Sequence, residues 1–174
     1  RQIRGSAFRV RAGEGGVSIP ALRMRGRIDR IDEAEDYVRV IDYKTGHFDP
    51  APVAYYTGRS LQLELYLTAA AEGKRPAGAF YFPAEDKFTA EEDKKFRMQG
   101  FFNRDGAVRA LMDTASAEES DFFESNSRRG MDGEDFADFL AYARLVAARA
   151  EEEMAAGNVR PSPYEGACDY CAFR

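Results

Sequence analysis

The chain has little of what several common chemistries need. It holds one histidine, His47, and no Ser/His/Asp set can be assembled around it. His47 follows a candidate strand in Thr45-Gly46-His47 and reads as a solvated loop residue. No P-loop is present, so ATP hydrolysis has no candidate residues here. No apolar run is long enough to cross a membrane, and no signal-peptide pattern occurs. The two cysteines, Cys168 and Cys171, are three apart and give no disulfide framework. A reducing cytoplasm is the setting this predicts. Internal repeats are also lacking.

Positive charge is scarce overall but concentrated at one end. The formal net charge is −5. Residues 1–30 hold eight arginines against two acids, whereas the remaining 144 hold 17 basic and 28 acidic residues. A basic N-terminal sheet could supply phosphate contacts, with Arg25, Arg27 and Arg30 the nearest to the motifs below. The plainer alternative is that these arginines solvate an exposed sheet face. The acidic remainder predicts weak DNA binding by this domain alone. The length suits one domain. The chain begins with Arg, which predicts an excerpt of a longer protein.

The run Gly26-Arg27-Ile28-Asp29-Arg30-Ile31-Asp32, followed by Ile41-Asp42-Tyr43-Lys44-Thr45-Gly46, carries the most chemistry. Residues 37–45 are rich in β-branched and aromatic residues and predict a strand. Alternation puts Asp42 and Lys44 on one face. Residues 22–31 predict the preceding strand, with Leu22, Met24 and Ile28 on one face. Asp29 then lies on the other with Arg23, Arg25 and Arg27. Residues 32–36 predict a hairpin loop that folds Asp29 back towards Asp42. Two such carboxylates suit Mg²⁺ or Mn²⁺, which bind through one or two carboxylates plus substrate phosphate. A lysine beside them could neutralise charge building on a phosphoryl group. An exposed ion pair worth ~0–1 kcal/mol is the alternative. Residues 58–72 predict a helix stopped by Gly73, with Gln62 and Tyr66 four apart on one face. Leu63, Leu67 and Ala70 form the apolar stripe beside it.

Together, Gly26–Asp32, Ile41–Gly46 and Gln62-Leu63-Glu64-Leu65-Tyr66 resemble, in order and spacing, the PD-(D/E)XK nuclease superfamily. Within its RecB-like branch the chain is most similar to the C-terminal nuclease domain of AddB-type helicase–nuclease subunits. The resemblance implies an α/β (α+β) fold, a mixed central β-sheet flanked by helices in the restriction-endonuclease-like manner. It implies that Asp29, Asp42 and the Tyr43 backbone carbonyl bind the metal and that Lys44 is the catalytic lysine. Gln62 and Tyr66 would line the site beside single-stranded DNA. A partner subunit of the AddA type and a role in double-strand break repair and recombination come with it. Retaining the fold as a non-catalytic, DNA-guiding or architectural module is the alternative.

Two departures stand out. The family's upstream Glu or His on a helix has no convincing equivalent in residues 1–21, where Glu14 sits in a glycine-rich turn. At the other end, Cys168-Asp169-Tyr170-Cys171 resembles the start of a [4Fe–4S] cluster motif. Four thiolates are the usual ligation and two are present. Half a zinc site or a redox pair are the other readings of C-x-x-C. A third cysteine is expected beyond Arg174 in the longer protein.

We therefore expect a single nuclease domain over 1–174. Residues 1–21 would form an extension, 22–82 the catalytic core and 83–132 connecting segments. A C-terminal helix is expected over 133–157, and 158–174 would start the cysteine motif. Residues 77–82 predict a buried strand and 83–95 a charged loop. Residues 96–102 lead into 107–113 as packing. Phe136, Phe139, Leu140, Ala143, Val146, Ala147, Ala150 and Met154 recur at helical spacing and predict the buried stripe of the last helix.

Overall fold

The computed structural model describes residues 9–11, 16–19, 24–46, 52–84, 97–112, 120, 123, 129–158 and 160–169. A six-stranded mixed sheet forms the centre. In chain order its strands are β1 (Arg9–Arg11), β4 (Arg30–Ala34), β5 (Tyr37–Lys44), β6 (Arg75–Pro83), β7 (Gln99–Asn103) and β8 (Gly130–Met131), and they lie side by side in that order. A separate ribbon pairs β2 (Gly16–Ile19) with β3 (Met24–Arg27). The helices are α1 (Pro52–Tyr56), α2 (Gln62–Ala70), α3 (Gly106–Met112) and α4 (Gly133–Ala155).

The hairpin is tighter than expected. β4 and β5 pair from Arg30↔Ile41 to Ala34↔Tyr37, leaving Glu35 and Asp36 as the turn. Asp32 and Glu33 therefore belong to the strand rather than to a loop. The expected strand over 22–31 is also corrected. It breaks at Ile28–Asp29, and the pieces join different sheets. Ile28 drops into the core, 2% exposed, which turns the chain at that point. Leu22 and Arg23 lie outside the described residues.

β5 and β6 are parallel, so the chain must cross over between them. α1 and α2 make that crossover, which strand parity requires of any parallel pair. α2 is shorter than the expected 58–72. Residues 57–61 instead form the joint to α1, which sequence spacing did not predict. Gly73, at φ +74°, adopts the left-handed conformation that ends the segment.

Alternation along β5 splits the core into two. Val38 and Val40 join Ile31, Leu63, Leu67, Tyr81, Phe101, Phe136, Phe139 and Leu140 beneath α2 and α4. Tyr37 and Ile41 join Phe80, Phe102, Val108 and Met112 on the α3 face. β7 lies hard against β6, since a Cβ on Gly100 would fall 1.9 Å from the Ala79 carbonyl oxygen. Asp132 caps α4, accepting from the Asp135 N–H at 3.1 Å. The α4 stripe is buried at Phe136, Phe139, Leu140, Ala143 and Ala147 and half-buried at Val146, but Ala150 and Met154 are exposed. Residues 85–96 and Asp113 lie outside the described residues. Among the described residues no helix is long and apolar enough to cross a membrane.

Candidate active site

Asp42 and Lys44 share the parity of Val38 and Val40, so both face α2. The first residue of α2 is Gln62, and it meets them. Lys44 Nζ lies 2.5 Å from Asp42 Oδ2, as an ion pair rather than an aligned hydrogen bond. The Gln62 amide donates to Asp42 Oδ1 at 2.9 Å, and its carbonyl oxygen accepts from Lys44 Nζ at 3.1 Å. Each of the three side chains thus touches the other two. Asp42 is 5% exposed, whereas the Lys44 side chain keeps 31% of its surface open.

Asp29 reaches the same strand end from the other side of the hairpin. Continuing the β4–β5 register one step sets it across from Asp42. Its Oδ2 accepts the Tyr43 N–H at 3.1 Å. Burial works against the Lys44 charge, but Asp42 and the charge of Asp29 outweigh it and raise the lysine pKa. Lys44 also stands 4.9 Å above the Tyr81 ring.

Tyr66, one turn after Gln62, packs against the core below α2. A Cβ on Gly26 would fall 2.7 Å from Tyr66 Cε1. Only glycine lets the β2–β3 ribbon approach the ring this closely. Arg27 follows and is exposed. The side chain of Arg25, together with His47, Glu14 and Cys171, lies outside the described residues. Cys168 is exposed.

Arg30 is not brought to this site. Its guanidinium holds Asp32 at 2.7 and 3.0 Å, and Arg39 holds the same carboxylate at 3.0 Å. Arg39 alternates with Val38 and Val40, so this cluster lies on the opposite face. Burial opposes the Arg30 charge, yet its bonds to Asp32 and Tyr43 raise its pKa. Arg39 is more deeply buried and its pKa is lowered by desolvation.

Residue patterning missed three groups beside the site. Glu64 is fully buried, and neither carboxylate oxygen has a hydrogen-bond partner among the described residues. Desolvation pushes its pKa up to about 8. Tyr81 is buried on the same face, with its hydroxyl 3.5 Å from that of Ser60. An acid flanked by leucines in Leu63-Glu64-Leu65, on a helix that must bury a stripe, was the available signal.

The family model of the PD-(D/E)XK nuclease superfamily matches residues 1–174. The chain belongs to that superfamily. Curated relatives of this nuclease chain include an ATP-dependent helicase/deoxyribonuclease subunit of Lachnoclostridium phytofermentans, 33% identical over 88% of the chain and 17% of the relative. The protein of the same name from Desulforudis audaxviator is 33% identical over 100% of the chain and 18% of its own length. That of Symbiobacterium thermophilum is 32% identical over 87% and 16%. The chain therefore spans less than a fifth of the length of these relatives.

The donors around Asp42 suit the divalent metals that nucleases of this superfamily generally use. The carboxylates of Asp29 and Asp42, set across from each other by the strand register, are both oxygen donors. No group of three or more His, Cys, Asp or Glu side chains able to hold a metal occurs among the described residues.

Proposed function

We propose that the chain is a Mg²⁺- or Mn²⁺-dependent deoxyribonuclease domain that hydrolyses phosphodiesters, working on single-stranded ends. The observation that carries this reading is the mutual contact of Asp42, Lys44 and Gln62 at the open end of β5. A structural ion pair needs no amide bridging both partners. Asp29, Asp42 and the Tyr43 carbonyl would hold the cation, which supplies Lewis-acid polarisation of the scissile phosphoryl group. Gln62 orients both neighbours through its two ends. Lys44 is fully charged at neutral pH, which suits it to stabilise charge growing on the phosphate rather than to accept a proton. Tyr66 backs the helix face that the strand would pass.

The wider reading extends from the relatives' names. The chain would serve an ATP-dependent helicase–nuclease of the cytoplasm, with an AddA-type partner delivering the strand during double-strand break repair. Cys168 and Cys171 would contribute to a [4Fe–4S] cluster in the longer protein. The test is cleavage of end-labelled single- and double-stranded DNA with Mg²⁺ or Mn²⁺. Chelator-sensitive loss of single strand from its ends supports the reading. Tight DNA binding without cleavage in either metal would instead favour a guiding module.

A further inference from the structure

We propose that Tyr81 is a positioning residue for Lys44: its buried ring lies under the ammonium and, with Gln62, keeps that charge in the site when Asp42 turns to a metal ion. The proposal rests on reading Asp42, Lys44 and Gln62 as catalytic. The parallel β5–β6 register sets Tyr81 beside Asp42, and paired residues on neighbouring strands project to the same face. Phe80 and Phe82 flank Tyr81 in sequence and join the opposite, α3 side. Tyr81 is 5% exposed and belongs with Val40, Leu63 and Leu67 to the core beneath α2. Lys44 Nζ stands 4.9 Å from the centroid of its ring, inside the ~6 Å over which an aromatic face attracts a cation.

Three unlike groups thus meet the ammonium. The Asp42 carboxylate pairs with it, and the Gln62 carbonyl oxygen accepts from it at 3.1 Å. The ring supplies the third contact and carries no charge. That difference matters because Asp42 is also a candidate metal ligand. A carboxylate shared with a divalent cation has less charge left for the lysine. Lys44 has a flexible four-carbon stem, and its side chain keeps 31% of its surface open, so solvent offers it other positions. The Tyr81 ring attracts the ammonium without neutralising it, and it offers the metal no carboxylate. The far end of the ring is placed as well. Its hydroxyl lies 3.5 Å from that of Ser60, in the joint between α1 and α2. The ring therefore spans from Lys44 to the segment that leads into Gln62.

The test reads Lys44 by NMR in the metal-free chain and follows cleavage in the same variants. The expected result is wild-type Lys44 ε-methylene protons shifted upfield by the ring they stand over, a shift kept in Tyr81→Phe and lost in Tyr81→Leu. In cleavage, Tyr81→Leu should lower kcat about tenfold with KM held, and Tyr81→Phe should restore most of the rate. Fluorinated phenylalanines at position 81 keep the shape of the ring while draining its negative face, so kcat should fall with each fluorine added. Lys44 protons at their ordinary position in the wild type overturn the proposal. So does a rate indifferent to the fluorine series, a loss that falls on KM alone, or a Tyr81→Leu protein that cleaves as the wild type does. Should Tyr81→Leu fail to fold, the wild-type shift and the fluorine series decide. Absence of cleavage in the wild type would count against the nuclease reading, whereas the NMR result judges Tyr81 independently.

Discussion

Asp32 and Asp42 are both buried carboxylates on the central hairpin, and they lie on opposite faces of it. Asp32 is 0% exposed and shared by two guanidinium groups, Arg30 and Arg39. Those planar forks satisfy the carboxylate and leave nothing for a ligand. Asp42 is 5% exposed and has a single, partly open ammonium and one amide. An ammonium and an amide can rotate away, and solvent reaches the lysine. Burial of an acid therefore does not distinguish scaffold from site. The nature of its partners does, and so does the route by which another ligand can arrive.

Substitutions at the two acids should separate cleanly. Asp42→Ala is expected to lower cleavage by ~10²–10⁴-fold, the range for loss of a positioned catalytic group. Its thermal unfolding should change little, because the released Lys44 can reach water. Asp32→Ala should do the reverse. Taking that carboxylate away from the buried Arg39 guanidinium costs ~3–5 kcal/mol, read as a lower denaturant midpoint, while the folded fraction cleaves at the normal rate. An Asp32→Ala protein as stable as wild type would break the comparison.

Glu64 sharpens the contrast through pH. An acid whose pKa is raised on folding binds its proton more tightly in the native state. Its contribution is fully present below about pH 4.5 and is lost as pH rises towards about 8. Wild-type stability should therefore fall across that window, by up to about 1.4 kcal/mol per pH unit. Glu64→Gln should flatten this slope in denaturant melts collected at several pH values. An identical slope in both proteins would mean that Glu64 does not carry it.

The smallest expected effect marks where the scaffold ends. Met154 is 68% exposed on the last turn of α4. Met154→Ser should shift stability by less than about 0.5 kcal/mol, whereas Phe136→Ala, inside the same apolar spacing, should cost ~3–5 kcal/mol. Equal losses would restore the longer buried stripe.

Local patterning read the strand over 37–45, a helix carrying Gln62 (though begun at 58 rather than 62) and the placement of Asp42, Lys44 and Gln62 on facing elements, because each follows from a short period. It misread the span 22–36. Ile28 was read on the apolar face, but nothing local announces that the chain breaks after it, so one apparent strand serves two sheets and Asp32 enters the core. The arginines show the same limit. Arg30 stands next to Asp29 in sequence, but strand alternation sends it to the opposite face, where Asp32 holds it. The helical spacing of α4 likewise could not show that Ala150 and Met154 stay exposed. Glu64 was hidden because a charged residue on a helix is ordinarily assigned to solvent.

The central claim is that Lys44 acts in catalysis while Asp42 and Asp29 hold the cation. It is tested most directly with Lys44→Ala, measuring Mn²⁺ affinity by calorimetry alongside Mn²⁺-dependent single-strand cleavage in the same preparation. The account predicts affinity within a few-fold of wild type and cleavage reduced by ~10²-fold or more. A Lys44→Ala protein that cuts DNA at the wild-type rate would contradict it.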